Sequence, residues 1–177
     1  MHAAAPAPGP ERSPALHLVL VTPEIPANTG NIVRLCACTG VQLHLVEPLG
    51  FSLDDRLVRR AGLDYWQDCR LQRHLTLEQI EQAHPAAGRH YLSARATASF
   101  FDRRLRPGDL IVLGPESSGL SPHLLAQCDR RAHACRLPMP GRGRSLNLST
   151  SAGIAIYEAL RQIGRLRADQ PEAPCPS

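Results

Sequence analysis

Short apolar runs alternate with helical stretches from residue 16 to about residue 164, and this alternation constrains the fold more than any other feature. The strand candidates are residues 16–21, 42–47, 90–94, 110–114 and 134–139. The segments with helical character are NTGNIVRLCACTG, SLDDRLVRRAGL, TLEQIEQA, PHLLAQC and STSAGIAIYEALRQIGR. Strands that alternate with helices assemble into a mostly parallel sheet. The sequence therefore predicts a single-domain α/β fold with a largely parallel sheet.

The folded domain is predicted to span residues 15–165. Residues 1–14 and 166–177 are rich in Pro and Ala and lack apolar periodicity, so we expect both ends to be disordered tails. The chain contains no apolar run of about 18 residues, and its N-terminus has neither a basic n-region nor an apolar h-region. We therefore expect a cytoplasmic protein.

All 20 basic residues are arginines, and the formal net charge is +4. The absence of lysine excludes a Walker-type phosphate loop, a Schiff-base lysine and a lysine general base. The guanidinium group has a planar fork of donors that suits phosphate. The composition is therefore compatible with a nucleic-acid partner.

The six cysteines form no C-x-x-C pair, and neither they nor the eight scattered histidines show the spacing of metal ligands. Free cysteine behaves as a small apolar side chain when it is buried. We expect reduced structural thiols and no metal site.

Three loops rich in Pro, Gly and polar residues follow strand candidates. They are TPEIPANTGN (the first loop, residues 22–31), GPESSGLSP (the second loop, residues 114–122) and PMPGRGRSLNLS (the third loop, residues 138–149). In parallel sheets, ligands bind beyond the carboxyl ends of the strands. The three loops are therefore predicted to line one site along one edge of the sheet.

Two interpretations of the first loop remain open. In one, Asn28 or Thr29 caps the following helix and Arg34 is a solvated surface residue. In the other, Arg34 binds an anion, because a cation near a helix N-terminus is disfavoured by the helix dipole. Phosphate is then the natural ligand.

The second loop places Gly114 and Glu116 at a strand tip. Either Glu116 or Ser117 caps the next helix, or Glu116 orders neighbouring loops or accepts hydrogen bonds. No G-x-G-x-x-G motif is present, which disfavours ordinary dinucleotide binding. The third loop supplies Arg142 and Arg144 as phosphate contacts before a helix that is apolar on several faces. We expect that helix to pack against the core and against a second subunit.

Together, PEIPANTGNIVRLCACTG, VLGPESSGLS and RLPMPGRGRSLNLSTSAGIAIYEALRQ resemble, in order and spacing, the three motifs of the SPOUT (SpoU–TrmD) RNA methyltransferases. The similarity is greatest to the small TrmL-type tRNA (cytidine/uridine-34) 2′-O-methyltransferases and covers about residues 16–164. It implies a deep trefoil knot in the C-terminal part of the chain, an exception to the rule that chains are unknotted. It also implies a homodimer and an S-adenosylmethionine pocket.

The resemblance assigns roles to individual residues. The active-site positions are Arg34, Asn28, Glu116, Ser145 and Asn147, and the cofactor contacts are Leu92, Gly114, Leu137, Met139 and Ser145. Tyr157 falls at a dimer position. For the RNA phosphates we expect Arg34, Arg136, Arg142 and Arg144, together with the Arg130/Arg131 pair. The basic stretch PGRG departs from the loop that relatives often carry, which affects the choice of tRNA more than the chemistry.

The implied reaction is methyl transfer from S-adenosylmethionine to the ribose 2′-hydroxyl of nucleotide 34 in the anticodon loop of a tRNA. Because a guanidinium with a pKa above about 12 stays protonated, we expect Arg34 to stabilise the developing alkoxide rather than to act as a base. The alternatives are methylation of another tRNA or rRNA ribose, and a knotted RNA-binding factor without catalysis. A flavodoxin-like or other nucleotide-binding module is a third alternative, but this sequence lacks the phosphate-binding loop that such a module needs.

Overall fold

The computed structural model describes residues 14–53, 65–127, 130 and 132–166. The predicted helix SLDDRLVRRAGL and both predicted tails lie almost entirely outside this range. Within it, no helix combines the length and apolar character needed to span a membrane.

Six parallel strands form one sheet in the order β3-β2-β1-β5-β4-β6. The strands are β1 (His17–Val21), β2 (Gln42–Val46), β3 (Leu71–His74), β4 (Arg89–Leu92), β5 (Leu110–Leu113) and β6 (Ala134–Cys135). The helices are α1 (Pro26–Thr39), α2 (Leu77–Ala83), α3 (Pro122–Ala126) and α4 (Leu148–Gln162), and a 3-10 turn covers Phe100–Asp102. The predicted α/β class and parallel sheet are confirmed.

Two strands differ from the prediction. The sequence LQRH of β3 gave no strand signal, because this edge strand is half exposed and has no apolar run. β6 is only two residues long, although residues 134–139 were predicted as a strand. After Cys135 the chain keeps a single parallel bridge, between Ser99 and Arg136, and then enters the third loop.

The sheet is covered on both faces. Along β1, Leu18 and Leu20 pack in one core with α1 and α4, while Val19 and Val21 pack in a second core with α2. This alternation follows from the two-residue period of a strand. Because both faces are buried, the central strands are apolar throughout much of their length, as is typical of parallel sheets.

Helix α4 packs in the first core through Ile156 and Leu160, which are 0% and 3% exposed. On the same helix, Ile154 is half-buried and Tyr157 is 50% exposed. The helix therefore keeps apolar side chains outside its contact with the sheet.

Arg130 is buried in an ion-pair network that joins the segment after α3 to α2 and β4. Its Nη2 donates to Glu78 at 2.7 Å and to Glu81 at 2.8 Å, and its Nε donates to Glu81 at 3.0 Å. The hydroxyl of Tyr91 donates to the same Glu81 carboxylate. The prediction that Arg130 binds RNA phosphate is wrong, because this side chain is 1% exposed and already paired. Arg131 lies outside the described residues.

Replacing Arg130 by Met should lower the free energy of unfolding by about 3–5 kcal/mol, because it leaves the Glu81 carboxylate buried without its cation. Urea unfolding followed by circular dichroism at one protein concentration measures the loss. The matched control is Arg104→Met, at an exposed arginine, which should change stability by no more than about 0.5 kcal/mol. Equal losses in the two variants would contradict a structural role for the buried pair.

Candidate active site

A cavity of about 390 Å³ opens beyond the carboxyl ends of β4 and β5, and all three loops contribute to its wall. This volume lies within the usual range for small-molecule sites. The position is the one that parallel sheets favour for ligands. The three loops therefore meet at one site, as the sequence predicted.

The cavity has an apolar wall and a polar rim. The apolar wall includes Leu92 and Leu113 from the strand ends and Leu137, Met139 and Leu148 from the last segment. All five of the predicted cofactor contacts line it: Leu92, Gly114, Leu137, Met139 and Ser145. Such a combination suits a ligand with a flat apolar part and a few polar groups.

Gly114 is needed for the shape of the second loop. A Cβ atom at this position would lie 2.3 Å from the backbone nitrogen of Leu120 and 2.4 Å from the carbonyl carbon of Gly119. Gly119 itself has a φ of +64°, in the left-handed region that glycine favours. The absence of a side chain at Gly114 thus allows the backbone of Gly119 and Leu120, in the same loop, to pack against it.

The carboxylate of Glu116 joins the second loop to the first. Its Oε2 accepts from the Glu24 N–H at 2.8 Å, and its Oε1 accepts from the Ile25 N–H at 3.2 Å and from Asn28 Nδ2 at 2.9 Å. In return, the Glu24 carboxylate accepts from the N–H and the hydroxyl of Ser117, both at 2.8 Å. Two carboxylates therefore hold two loops together reciprocally.

Asn147 joins the third loop to this pair. Its Nδ2 donates to Asn28 Oδ1 at 2.9 Å, and its Oδ1 accepts from the N–H groups of Ser149 and Thr150 at 2.9 and 3.3 Å. Asn147 is thus the N-cap of α4.

The amide of Asn28 lies at the centre of the arrangement. The prediction that Asn28 or Thr29 caps α1 is wrong: the helix begins after Ile25, with Pro26 in its first turn, and has no side-chain cap. Asn28 is instead 6% exposed and bonded to both Glu116 and Asn147. Proline provides the helix start without a cap, which leaves the Asn28 side chain available for the loops.

Arg34 does not join the other predicted catalytic residues. It is exposed on α1, and its guanidinium carbon lies 5.0 Å from the ring centroid of Tyr65. Among the described residues that line the cavity, Arg34 is absent. Of the five predicted active-site residues, four line the cavity and Arg34 does not: the four are Asn28, Glu116, Ser145 and Asn147.

Of the arginines predicted to bind RNA, four are exposed: Arg34, Arg136, Arg142 and Arg144. Arg142 and Arg144 lie in the third loop directly before Ser145, and Arg136 lines a smaller cavity that shares Leu137 and Met139 with the main one. These guanidinium groups place positive charge near the rim of the cavity.

The structure adds site residues that the sequence analysis missed. Ser93 and Arg95 line the cavity directly after β4, and Ser117 binds Glu24 across the loops. Arg95 follows the predicted strand 90–94, so the rule that ligands bind beyond strand ends contained the signal for it. Ser93 was counted in that strand, which in the structure already ends at Leu92. Glu24 and Ser117 had no signal, since their pairing depends on the approach of two distant loops.

The sequence profile of the SpoU rRNA Methylase family matches residues 15–157. A protein of Polaromonas sp. (strain JS666) named tRNA (cytidine(34)-2′-O)-methyltransferase is 44% identical over 159 residues, which cover 89% of this chain and 96% of the relative. A protein of the same name from Acidovorax sp. (strain JS42) is 48% identical over 148 residues, covering 82% of this chain and 91% of the relative.

Among solved structures, one described as "Structural insights into the 2-OH methylation of C/U34 on tRNA" superposes with a TM-score of 0.77 and 46% sequence identity. The match covers 83% of this chain and 95% of that structure. The family profile spans the three loops that meet at the cavity. The chain belongs to the SpoU rRNA Methylase family.

Proposed function

We propose that this protein methylates the ribose 2′-hydroxyl of nucleotide 34, cytidine or uridine, in the anticodon loop of tRNA, with S-adenosylmethionine as the methyl donor. The observation that carries the proposal is the cavity at which Asn28 is hydrogen-bonded to both Glu116 and Asn147 and whose wall includes Ser145. The relatives named for this activity match over nearly their whole length. The target nucleotide is proposed from their names.

The residues of the cavity fit S-adenosylmethionine. Leu92, Leu137 and Met139 offer an apolar surface for the adenine ring, and a cavity of about 390 Å³ is large enough for a molecule of this size. Ser145 and the main chain of the second loop offer hydrogen bonds to the ribose and the amino-acid part. When bound, S-adenosylmethionine supplies an electrophilic methyl group on a sulfonium.

A homodimer completes the site in this proposal. Since Arg34 is exposed and lies outside the cavity wall, it is free to face the cavity of a second copy. The half-exposed Tyr157 on α4 supplies apolar surface for that contact. The proposal includes the trefoil knot that the family resemblance implies for the C-terminal part of the chain.

Arg34 of the partner subunit is proposed to bind the phosphate next to the target nucleotide and to stabilise the alkoxide that develops on the ribose. A guanidinium holds its proton at neutral pH, so the 2′-hydroxyl proton passes to the phosphate or to a water. A fixed cation in a water-poor site stabilises such charge without reorganisation.

Asn147 and Ser145 are proposed to position the ribose and the cofactor, and Glu116 to brace the loops that hold them. Asn147 is well placed for this role because its amide is held at one end by Asn28 and at the other by the N-terminus of α4. Alignment of this kind supplies much of the rate of an in-line transfer.

A second candidate is methylation of an rRNA ribose, since the matching family is described by that reaction. The cavity and its network serve both reactions equally, because the target is selected by the RNA-binding surface. The first experiment below separates the two.

Labelled methyl groups should pass from S-adenosylmethionine to tRNA that lacks 2′-O-methylation, and nuclease mapping should place the label at nucleotide 34. Arg34→Ala should reduce kcat/KM by about 100-fold or more, because it removes the cation that stabilises the alkoxide. Arg34→Lys should recover only part of the loss, since lysine keeps the charge without the two-pronged geometry.

Arg104→Ala, at an exposed arginine that does not line the cavity, is the matched control and should retain wild-type activity. Label in rRNA but in no tRNA would replace the tRNA target by the second candidate. Cofactor binding that leaves every RNA unlabelled would contradict an enzymatic role.

Glu116→Gln should lower kcat/KM for methyl transfer at least tenfold, because the amide NH₂ replaces one of the two acceptor oxygens and then faces either the Glu24 N–H or the donors of Ile25 and Asn28. Hydrogen exchange at those two amides should become faster in the variant. Glu47→Gln is a suitable control, since Glu47 accepts from Arg73 at an exposed position away from the cavity. If Glu116→Gln changed neither the activity nor the exchange, the bracing role would be wrong.

Binding of tRNA should weaken steeply with salt, because Arg142 and Arg144 are proposed to contact phosphates. The double variant Arg142→Gln/Arg144→Gln should reduce the slope of log K against log[salt] by about 2, one unit for each phosphate contact. Filter binding at several salt concentrations measures the slope. An unchanged slope, as expected for the control Arg104→Gln, would exclude these arginines from the RNA surface.

A further inference from the structure

Three histidines that are far apart in the sequence meet on the α2 face of the sheet. His17 begins β1, His44 lies in the middle of β2, and His84 follows the last residue of α2. Each histidine offers one ring nitrogen, either Nδ1 or Nε2, and these three nitrogens all lie within 4.8 Å of one another. His17 and His44 are 6% and 1% exposed, and His84 is half-buried. The catalytic cavity contains none of the three.

Hydrogen bonds orient the ring of His44 toward this group. Its Nδ1 lies 2.9 Å from Nε2 of His74, the last residue of β3, and its Nε2 lies 2.9 Å from Nδ1 of His17. If Nδ1 of His44 carries the proton and donates to His74, Nε2 has the lone pair and accepts from the Nδ1–H of His17. An ion that binds both nitrogens therefore displaces that His17 proton. Metal-binding histidines are commonly held in this way by a partner on the other ring nitrogen.

We propose that His17, His44 and His84 bind a divalent first-row transition ion, with zinc as the leading candidate, and that His74 orients His44. Imidazole suits zinc, copper, nickel and iron rather than calcium or magnesium. The described part of the chain brings no carboxylate or thiol into the group.

The geometry requires only small movements of the rings. Zinc lies about 2.0–2.1 Å from each imidazole nitrogen, so tetrahedral ligands are about 3.4 Å apart. The ligand nitrogens lie within 4.8 Å of one another, so the widest pair needs to approach by at most about 1.4 Å. If His17 Nδ1 and His44 Nε2 are two of the ligand atoms, they are 2.9 Å apart and need to separate by about 0.5 Å. Rotation of the half-buried His84 ring supplies movement in this direction. Three protein ligands leave a fourth position for water.

The ion would link two neighbouring strands to the end of α2, the helix that covers this face of the sheet. Its role is therefore structural, because the cofactor cavity lies beyond the carboxyl ends of β4 and β5. Binding to the folded state alone stabilises that state in proportion to the logarithm of the ion concentration.

The test is titration of the full chain with Co²⁺ and then with Zn²⁺, after removal of metal by a chelator and without a polyhistidine tag. We expect one Co²⁺ per chain, the visible absorption of tetrahedral cobalt, and displacement by Zn²⁺. His84→Ala should weaken binding at least tenfold, and His74→Ala should weaken it about 10- to 100-fold, as loss of an orienting partner does. The control His133→Ala, at an exposed histidine outside the cluster, should bind as the wild type does.

The melting temperature adds an independent readout. Zn²⁺ should raise it in the wild type and in His133→Ala but not in His84→Ala. His84→Gln repeats the test if the alanine variant does not fold. Wild-type protein that binds no stoichiometric Co²⁺, or variants at His84 and His74 that bind it unchanged, would overturn the proposal and leave a hydrogen-bonded histidine cluster.

Discussion

The chain of hydrogen bonds from Glu116 through Asn28 to Asn147 is the interaction on which the functional site depends. Its direction is determined at both ends: the Glu116 carboxylate only accepts, and the N–H groups that begin α4 only donate. Each amide between them must therefore present its NH₂ toward Glu116 and its oxygen toward the helix. Three loops that are distant in the sequence thus meet in one arrangement, with no alternative orientation of either amide that keeps every bond.

The parallel sheet explains why these loops can meet. All six strands run in one direction, so the segments after β1 and β5 emerge at the same edge, and the segment after β6 leaves the sheet beside them. Burial of both faces makes the strands rigid supports for the loops. Two groups of polar side chains that do not line the cavity lie on the α2 face of the sheet: the Arg130 network and the histidine cluster.

Much of the site was predictable, because loop composition and strand ends are local properties. Glu116 was placed at a strand tip, and the motif resemblance implied Ser145 and Asn147; all three line the cavity. Arg130 was expected to bind RNA phosphate, yet the fold turns it inward against Glu81. The cap of α1 was also misplaced, since Pro26 starts the helix without the help of Asn28. In both cases a contact between distant residues overrode the local preference.

The sequence by itself determined the α/β class, the parallel sheet, the three loops and the family, because each depends on periodicity or on motifs read along the chain. Only the tertiary structure decided which polar groups bind one another. Two of these contacts join distant segments: Glu24 binds Ser117, and His17 and His44 meet His84. The tertiary structure also placed Arg34 outside the cavity of its own chain. No local pattern encodes such contacts, since they arise only when strand order brings those segments side by side.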